Sequence, residues 1–197
     1  MAKTKRRCRL FGAGSVVVFS VLLSAFLFGT PWKRVSTSDR VAAFPSEGLP
    51  LLRPARVLWN ERQVPFIDAK TDEDAALLLG MVHAHLRLGQ MEMTRRAAFG
   101  RLSESLGRKA VAFDEFLRAL HFSKYAERVE AGLPPATKIW LLRYVEGVNF
   151  YREHRKSDPF EFRFLGVSDD SPWTVRDVLT VSKLAAADFN WKLILSF

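Results

Sequence analysis

Gly80-Met-Val-His-Ala-His-Leu-Arg-Leu-Gly-Gln-Met-Glu-Met-Thr-Arg-Arg-Ala-Ala-Phe-Gly-Arg-Leu-Ser-Glu-Ser-Leu-Gly107 is the stretch whose reading decides the fold. Leu77, Leu78, Met81, Val82, His85, Leu88 and Met91 recur at spacings of three and four, which is one face of a helix. Thr71 offers an N-cap, and Asp72, Glu73 and Asp74 occupy the first turn, where the helix dipole favours acids. Gly100, just behind the bases Arg95 and Arg96, supplies the stop. Glu92 stands three and four residues before Arg95 and Arg96, a spacing that by default gives ion pairs on a solvated helix face. Glu104, three residues after Arg101, reads as an exposed partner. His83 and His85 are two residues apart and so diverge around the helix. They cannot share a metal, which wants a spacing of four.

Working outward, Arg56 to Trp59 and Val64 to Ala69 bracket Asn60 to Gln63, which predicts a hairpin that lacks a turn glycine. Pro65 belongs at an edge or at the first residue of its strand. Downstream, short helices are expected at Arg101–Leu106 and Val111–Leu120. Pro134-Pro135 opens a longer helix to about His154, and a last one starts near Thr174 and runs to about Phe189. Phe160, Phe162 and Phe164 alternate, as core residues or an interface strand would. The expected fold is mainly α with a short N-terminal β-hairpin.

Charge narrows the function. The formal net charge is +9, but residues 1–40 carry eight Lys/Arg against Asp39, and the remaining residues hold 22 basic and 20 acidic side chains. A nucleic-acid footprint needs a basic face on the folded part, so no nucleic-acid partner is expected. Five bases from Lys3 to Arg9 precede Leu10–Phe28, 19 residues without a charge. That run is long enough for a membrane helix, with its N-terminus on the cytoplasmic side. Residues 1–29 therefore read as a membrane anchor or signal segment. Residues 30–54, where proline and glycine recur without a hydrophobic period, read as a linker, and 55–197 as the folded domain. The expected location is membrane-anchored on the periplasmic side, or secreted if the segment is cleaved. Cys8, the single cysteine, excludes an internal disulfide and a multi-cysteine zinc site. No G-x-S-x-G elbow supports a hydrolase triad.

Five blocks, taken together, resemble the penicillin acylase (penicillin amidase) family of N-terminal-nucleophile hydrolases. In the opening stretch Gly80, Val82, Ala84, Arg87, Gln90, Met91, Glu92, Arg95, Arg96, Gly100, Glu104 and Gly107 fall in the family's register, while His85-Leu86 stands where Gln-Asp is usual. Val57 to Ala69 is similar to the family's opening hairpin, with Gln63 in place of its turn glycine and Phe66 in place of its histidine. Tyr144-Val-Glu-Gly-Val-Asn149, Phe160 to Gly166, and Pro172-Trp-Thr174 with Asp177 complete the series in the family's order.

The resemblance covers the family's α-chain region only. It implies one part of a four-layer αββα sandwich, incomplete on its own, and an activity that hydrolyses a carbon–nitrogen amide bond in an acylated amine, β-lactam or homoserine lactone. The nucleophilic serine would begin a β-chain-like partner from the same precursor or an adjacent frame; no catalytic residue is expected in this chain. Arg87, Gln90, Glu92, Arg95 and Arg96 would be structural and tie the helix to its neighbours. The wall of the acyl pocket would fall on Leu184, Asp188 and Phe189 in the last helix. The family's calcium site draws an acid from beyond that phenylalanine, but Trp191 to Phe197 offers none, so no metal or other cofactor is expected in this chain. The alternative reading is a non-catalytic, membrane-anchored helical domain for binding or assembly, or a truncated remnant of an acylase.

Overall fold

Asp72–Ala98 forms one long helix, and Val111–Ala119, Pro135–His154, Phe160–Leu165 and Val175–Leu195 pack against it. The computed structural model describes residues 36–167 and 171–195. In chain order the elements are α1 (Thr37–Ala42), β1 (Arg56–Trp59), β2 (Pro65–Asp68), α2 (Asp72–Ala98), α3 (Ser103–Leu106) with a 3-10 turn at Gly107–Ala110, α4 (Val111–Ala119), α5 (Phe122–Ala131), α6 (Pro135–His154), α7 (Phe160–Leu165) and α8 (Val175–Leu195). The protein is mostly helical with a small two-stranded antiparallel sheet.

The hairpin pairs Arg56 with Asp68 and Trp59 with Pro65, so proline opens its strand, where a missing N–H costs least. Val57, Trp59 and Ile67 face the body, while Leu58 and Phe66 face outward. The turn replaces its glycine with side-chain chemistry. The Asn60 carboxamide oxygen accepts from the N–H groups of Arg62 (3.0 Å) and Val64 (2.9 Å), and Gln63 takes φ +60.

α2 starts as its sequence dictates. Thr71 is extended, its Oγ1 accepts from the Asp74 N–H at 3.1 Å, and three acids fill the first turn. Its contact with α6 depends on two glycines. A Cβ on Gly80 would run into the Tyr144 carbonyl, and one on Gly147 into the Leu77 carbonyl, so the two backbones touch with nothing between them. Leu77, Leu78 and Met81 then pack with Val57, Ile67 and Phe150 on one side of the crossing. Ala84, Leu88, Val145, Val148, Phe162, Trp173 and Val175 form the second core. The helix kinks at Arg87 (φ −144, ψ 19) and stops after Phe99, with Gly100 at φ +63 against Arg118 and Asp114.

Four expectations need correction. Residues 30–54 were expected to be a linker, but α1 lies among them and Phe44, Leu49 and Leu51 pack on the Leu77 core. Isolated anchors of this kind leave no period to read. Phe160 to Phe164 is a helix capped after Pro159, not a strand; Phe162 is buried, while Phe160 and Phe164, four apart, stack at 5.6 Å. Helix α5 was not foreseen, because its N-cap is His121 in the left-handed region (φ 53) with no side-chain cap. The last helix continues to Leu195 rather than ending near Phe189. Among the described residues no helix is long and apolar enough to cross a membrane. The apolar run at 10–28 and Cys8 lie outside them.

Candidate functional site

The helix expected to carry the pocket wall, α8, is fixed at its N-terminus by a capping box. Thr174 N–H donates to the Asp177 carboxylate at 2.7 Å, and the Asp177 N–H returns a bond to Thr174 Oγ1 at 3.2 Å. The preceding Trp173 is held from α6. Its N–H donates to Asn149 Oδ1 (2.8 Å), and Asn149 Nδ2 donates back to the Trp173 carbonyl (2.9 Å). A side-chain amide here does what a strand neighbour does elsewhere, satisfying both main-chain groups of a buried residue.

The second half of α2 reaches the same place with charge. Glu92, Arg95 and Arg96 are only 3 %, 7 % and 8 % exposed. The Glu92 carboxylate pairs with Arg95 at 2.7 Å and Arg96 at 3.3 Å. Arg95 continues to the Ser171 carbonyl (3.3 Å), approaches Asp177 (3.8 Å) and lies over the Trp173 ring at 5.0 Å. Arg96 goes the other way, to Glu104 at 2.9 Å, which Arg101 also binds at 2.7 Å. The Arg101 hydrogen bond, with the charges of Arg101, Arg96 and Arg118, outweighs partial burial and holds the Glu104 carboxyl below its ordinary range. The solvated-face reading of Glu92, Arg95 and Arg96 is thus overturned: the side chains that pair along the helix also bond across it and are buried by α8 and the α2–α3 turn.

Two further aspartates hold backbone. Asp114 accepts from the N–H groups of Leu102 (2.8 Å) and Ser103 (2.7 Å) at the start of α3. Asp74 accepts from Leu52 (2.8 Å) and Arg53 (2.9 Å) and from the Thr71 hydroxyl (2.8 Å), with Arg143 at 3.3 Å. Burial would raise both carboxyl pKa values, but these hydrogen bonds and the neighbouring arginines outweigh it and lower them. Sequence reasoning placed Asp74 only in a favourable first turn and did not single out Asp114. A carboxylate that binds a loop 21 residues away leaves no local signal.

The other expected residues distribute as follows. Arg87 and Gln90 are exposed at and after the kink, apart from the buried cluster. Leu184 is half-buried on α8, and positions 184 and 188 share a helix face, with 189 about 100° round. The side chains of Asp188 and Phe189 lie outside what the structure describes. His83 and His85 point to different partners, His83 to the Tyr144 hydroxyl (3.0 Å) and His85 to the rings of Phe44, Trp59 and Tyr151. Among the described residues no cluster of three His, Cys, Asp or Glu could hold a metal ion. The cleft inside the arginine cluster, about 50 Å³, has room for a water or two and not for a substrate. The arrangement does positioning chemistry: the guanidinium groups are met by Glu92, Glu104 and Asp177, and what they fix is the base of α8.

Known proteins are similar to this chain. Over 123 residues the chain is 39% identical to the penicillin acylase 2 proenzyme of Pseudomonas sp. (strain SE83), covering 62% of this chain and 16% of that protein. Over 108 residues it is 36% identical to the acyl-homoserine lactone acylase QuiP of Pseudomonas syringae pv. tomato, covering 55% and 13%. It thus spans about a sixth or less of the length of these relatives. A thermostable penicillin G acylase from Alcaligenes faecalis shares the fold, with a TM-score of 0.59 at 24% identity over 66% of this chain and 71% of that one. With the penicillin amidase family model matching residues 54–195, the chain belongs to the penicillin amidase family.

Proposed function

We propose that this chain is the α-chain-like part of an acylase that hydrolyses a carbon–nitrogen amide bond in an acylated amine, β-lactam or homoserine lactone. The observation that carries the reading is the family match over residues 54–195, a span that contains the whole Glu92–Arg95–Arg96 cluster and α8. The β-lactam and lactone classes come from the relatives, named as a penicillin acylase and an acyl-homoserine lactone acylase. The chain covers 71% of the solved neighbour but only 16% of the proenzyme, so that neighbour is a much shorter polypeptide than a proenzyme. This favours a β-chain-like partner that brings the N-terminal serine.

In this reading the partner's serine hydroxyl attacks the amide carbonyl and its own α-amine takes the proton. The present chain forms the acyl side of the site through Leu184, Asp188 and Phe189, and contributes its helices to an αββα sandwich. Exposed Phe113, Phe116, Ile139, Leu142, Phe160 and Phe164 support a partner surface. We place residues 55–197 outside the cytoplasm, behind an anchor at 10–28, on the strength of the bases that precede that run.

The test is co-expression of residues 30–197 with the Pseudomonas proenzyme from which the matching region has been removed. A stable complex that hydrolyses chromogenic N-acyl amides, and loses that activity when the partner's N-terminal serine becomes alanine, is expected. Turnover by residues 30–197 alone, or a complex with no turnover on any acyl length, would overturn the proposal.

A further inference from the structure

Helix α4 is fastened to the body by its polar side. Its buried residues are Asp114 (2 % exposed) and Leu117 (4 %). Asp114 accepts the Leu102 and Ser103 N–H groups at 2.8 and 2.7 Å, and Arg118 Nε donates to the Gly100 carbonyl at 2.8 Å. Glu104, in the turn so held, is tied to Arg96 of α2 at 2.9 Å. Directional bonds and one leucine therefore set this helix on the end of α2.

The apolar side is turned out. At about 100° per residue, Ala112, Phe113, Phe116 and Ala119 fall within about 120° of one another on a single flank. All four are exposed, the phenylalanines by 50 % and 51 %. The charged residues of the helix, Asp114, Glu115 and Arg118, lie on the rest of its circumference. A single exposed phenylalanine needs no explanation. Two of them three residues apart, with alanines beside them, make a continuous strip that the helix does not use to hold its place in this chain.

Composition separates the kinds of partner. A helix that lies on a membrane carries lysine and arginine on its polar face, whereas α4 has two acids there against one base. A protein interface has an aromatic, charge-free centre and a polar rim, and α4 has both. Aromatic anchors three residues apart are what a helix offers to an apolar groove. We infer, on the α-chain reading proposed above, that this flank of α4 docks into an apolar groove of the β-chain-like partner, with Phe113 and Phe116 as the anchors. The chain covers 16% of the penicillin acylase 2 proenzyme it resembles, so most of the surface that such an enzyme can set against α4 belongs to its remainder. Asp114 and Arg118 hold the helix in place beforehand, so little ordering is left to oppose the docking.

The experiment is photo-crosslinking in cells that co-express the full chain with the Pseudomonas proenzyme lacking its matching region. A photoreactive phenylalanine analogue at position 113 or 116 should label that partner, and one at position 115, on the charged side, should label it about tenfold less or weaker still. Phe113→Ser combined with Phe116→Ser should weaken the complex by about tenfold or more. It should leave the urea midpoint of the free chain unchanged, since neither ring anchors the fold. If that variant also lowers the midpoint, the crosslinks alone decide. A complex that survives the double substitution, or labels equally from position 115, overturns the docking flank and leaves the acylase reading standing. No complex with the unsubstituted chain overturns both. Label passing from position 116 to a second copy of this chain, or to lipid, overturns the choice of partner.

Discussion

The two halves of α2, on either side of Arg87, solve the same packing problem by opposite means. Before the kink the helix crosses α6 at Gly80 and Gly147, where each glycine is set against a carbonyl group with no side chain between. After it the helix meets α8 and the α2–α3 turn through Glu92, Arg95 and Arg96, long side chains buried as a charged set. The first contact tolerates no added atom; the second tolerates no missing charge. Shape fixes the scaffold, and directional bonds fix the distance and angle at which α8 leaves it.

The largest effect is expected where a charge is removed from the second half. Glu92→Gln leaves two buried guanidinium groups without their shared carboxylate and should cost about 3–5 kcal/mol. Urea unfolding followed by circular dichroism reads it. The comparison predicts more than the loss. Replacing Glu92, Arg95 and Arg96 together by apolar residues of similar volume should cost far less than Glu92→Gln alone, because no uncompensated charge remains. A triple variant as unstable as the single one would show that the cluster works through particular hydrogen bonds, such as Arg95 to Ser171, rather than through charge balance.

Gly147→Ala comes next. Its Cβ meets the Leu77 backbone, which has no rotamer by which to move aside, so about 3 kcal/mol is expected from overpacking. No second substitution on α2 should rescue it. Recovery by trimming Leu77 would mean that the helices are held apart by that side chain, and the contrast between the halves would lose its basis.

Much of this was legible, and the reason is distance along the chain. Thr71 with Asp74, and Thr174 with Asp177, are capping pairs three residues apart, and both form. The glycines stood out as matches, but only the crossing explains them. Burial of Glu92 could not be read, since it comes from Ser171 and Asp177 some eighty residues on; spacing alone gave the ion pairs but put them in solvent. Leu184, Asp188 and Phe189 were reached through the family resemblance alone, because nothing in their local pattern marks a pocket.

Acid should separate the clamps from the cluster. Asp74 and Asp114 titrate lower in the folded chain than unfolded, where a carboxyl sits near 3.9. Their stabilisation is full above that value and disappears as pH falls through the folded values. Asp114→Asn keeps the shape but loses charge-assisted bonds to Leu102 and Ser103, so about 1.5–3 kcal/mol should vanish at pH 7 and less near pH 3. Urea midpoints measured between pH 6 and 3 would show the wild type and variant converging. Parallel curves would mean that Asp114 acts by shape.

The smallest effect lies in the hairpin, where Gln63 takes a turn position that favours glycine. Gln63 holds φ +60, which costs a side-chain-bearing residue roughly 1–2 kcal/mol, and the Asn60 carboxamide, bonded to two turn N–H groups, offsets part of that strain. Gln63→Gly removes the strain but returns about 0.5–1 kcal/mol of freedom to the unfolded chain. A net gain of roughly 0.5–1 kcal/mol remains, visible as a small rise in the urea midpoint. The same change in an Asn60→Ala background should gain no less, since the turn then keeps its main-chain bonds, Gln63 N–H to the Asn60 carbonyl and Asn60 N–H to the Val64 carbonyl, but loses the side-chain bonds that offset the strain. A loss of stability in either background would show that the Gln63 side chain itself holds the turn, and that the substitution is a working replacement for glycine rather than a tolerated one.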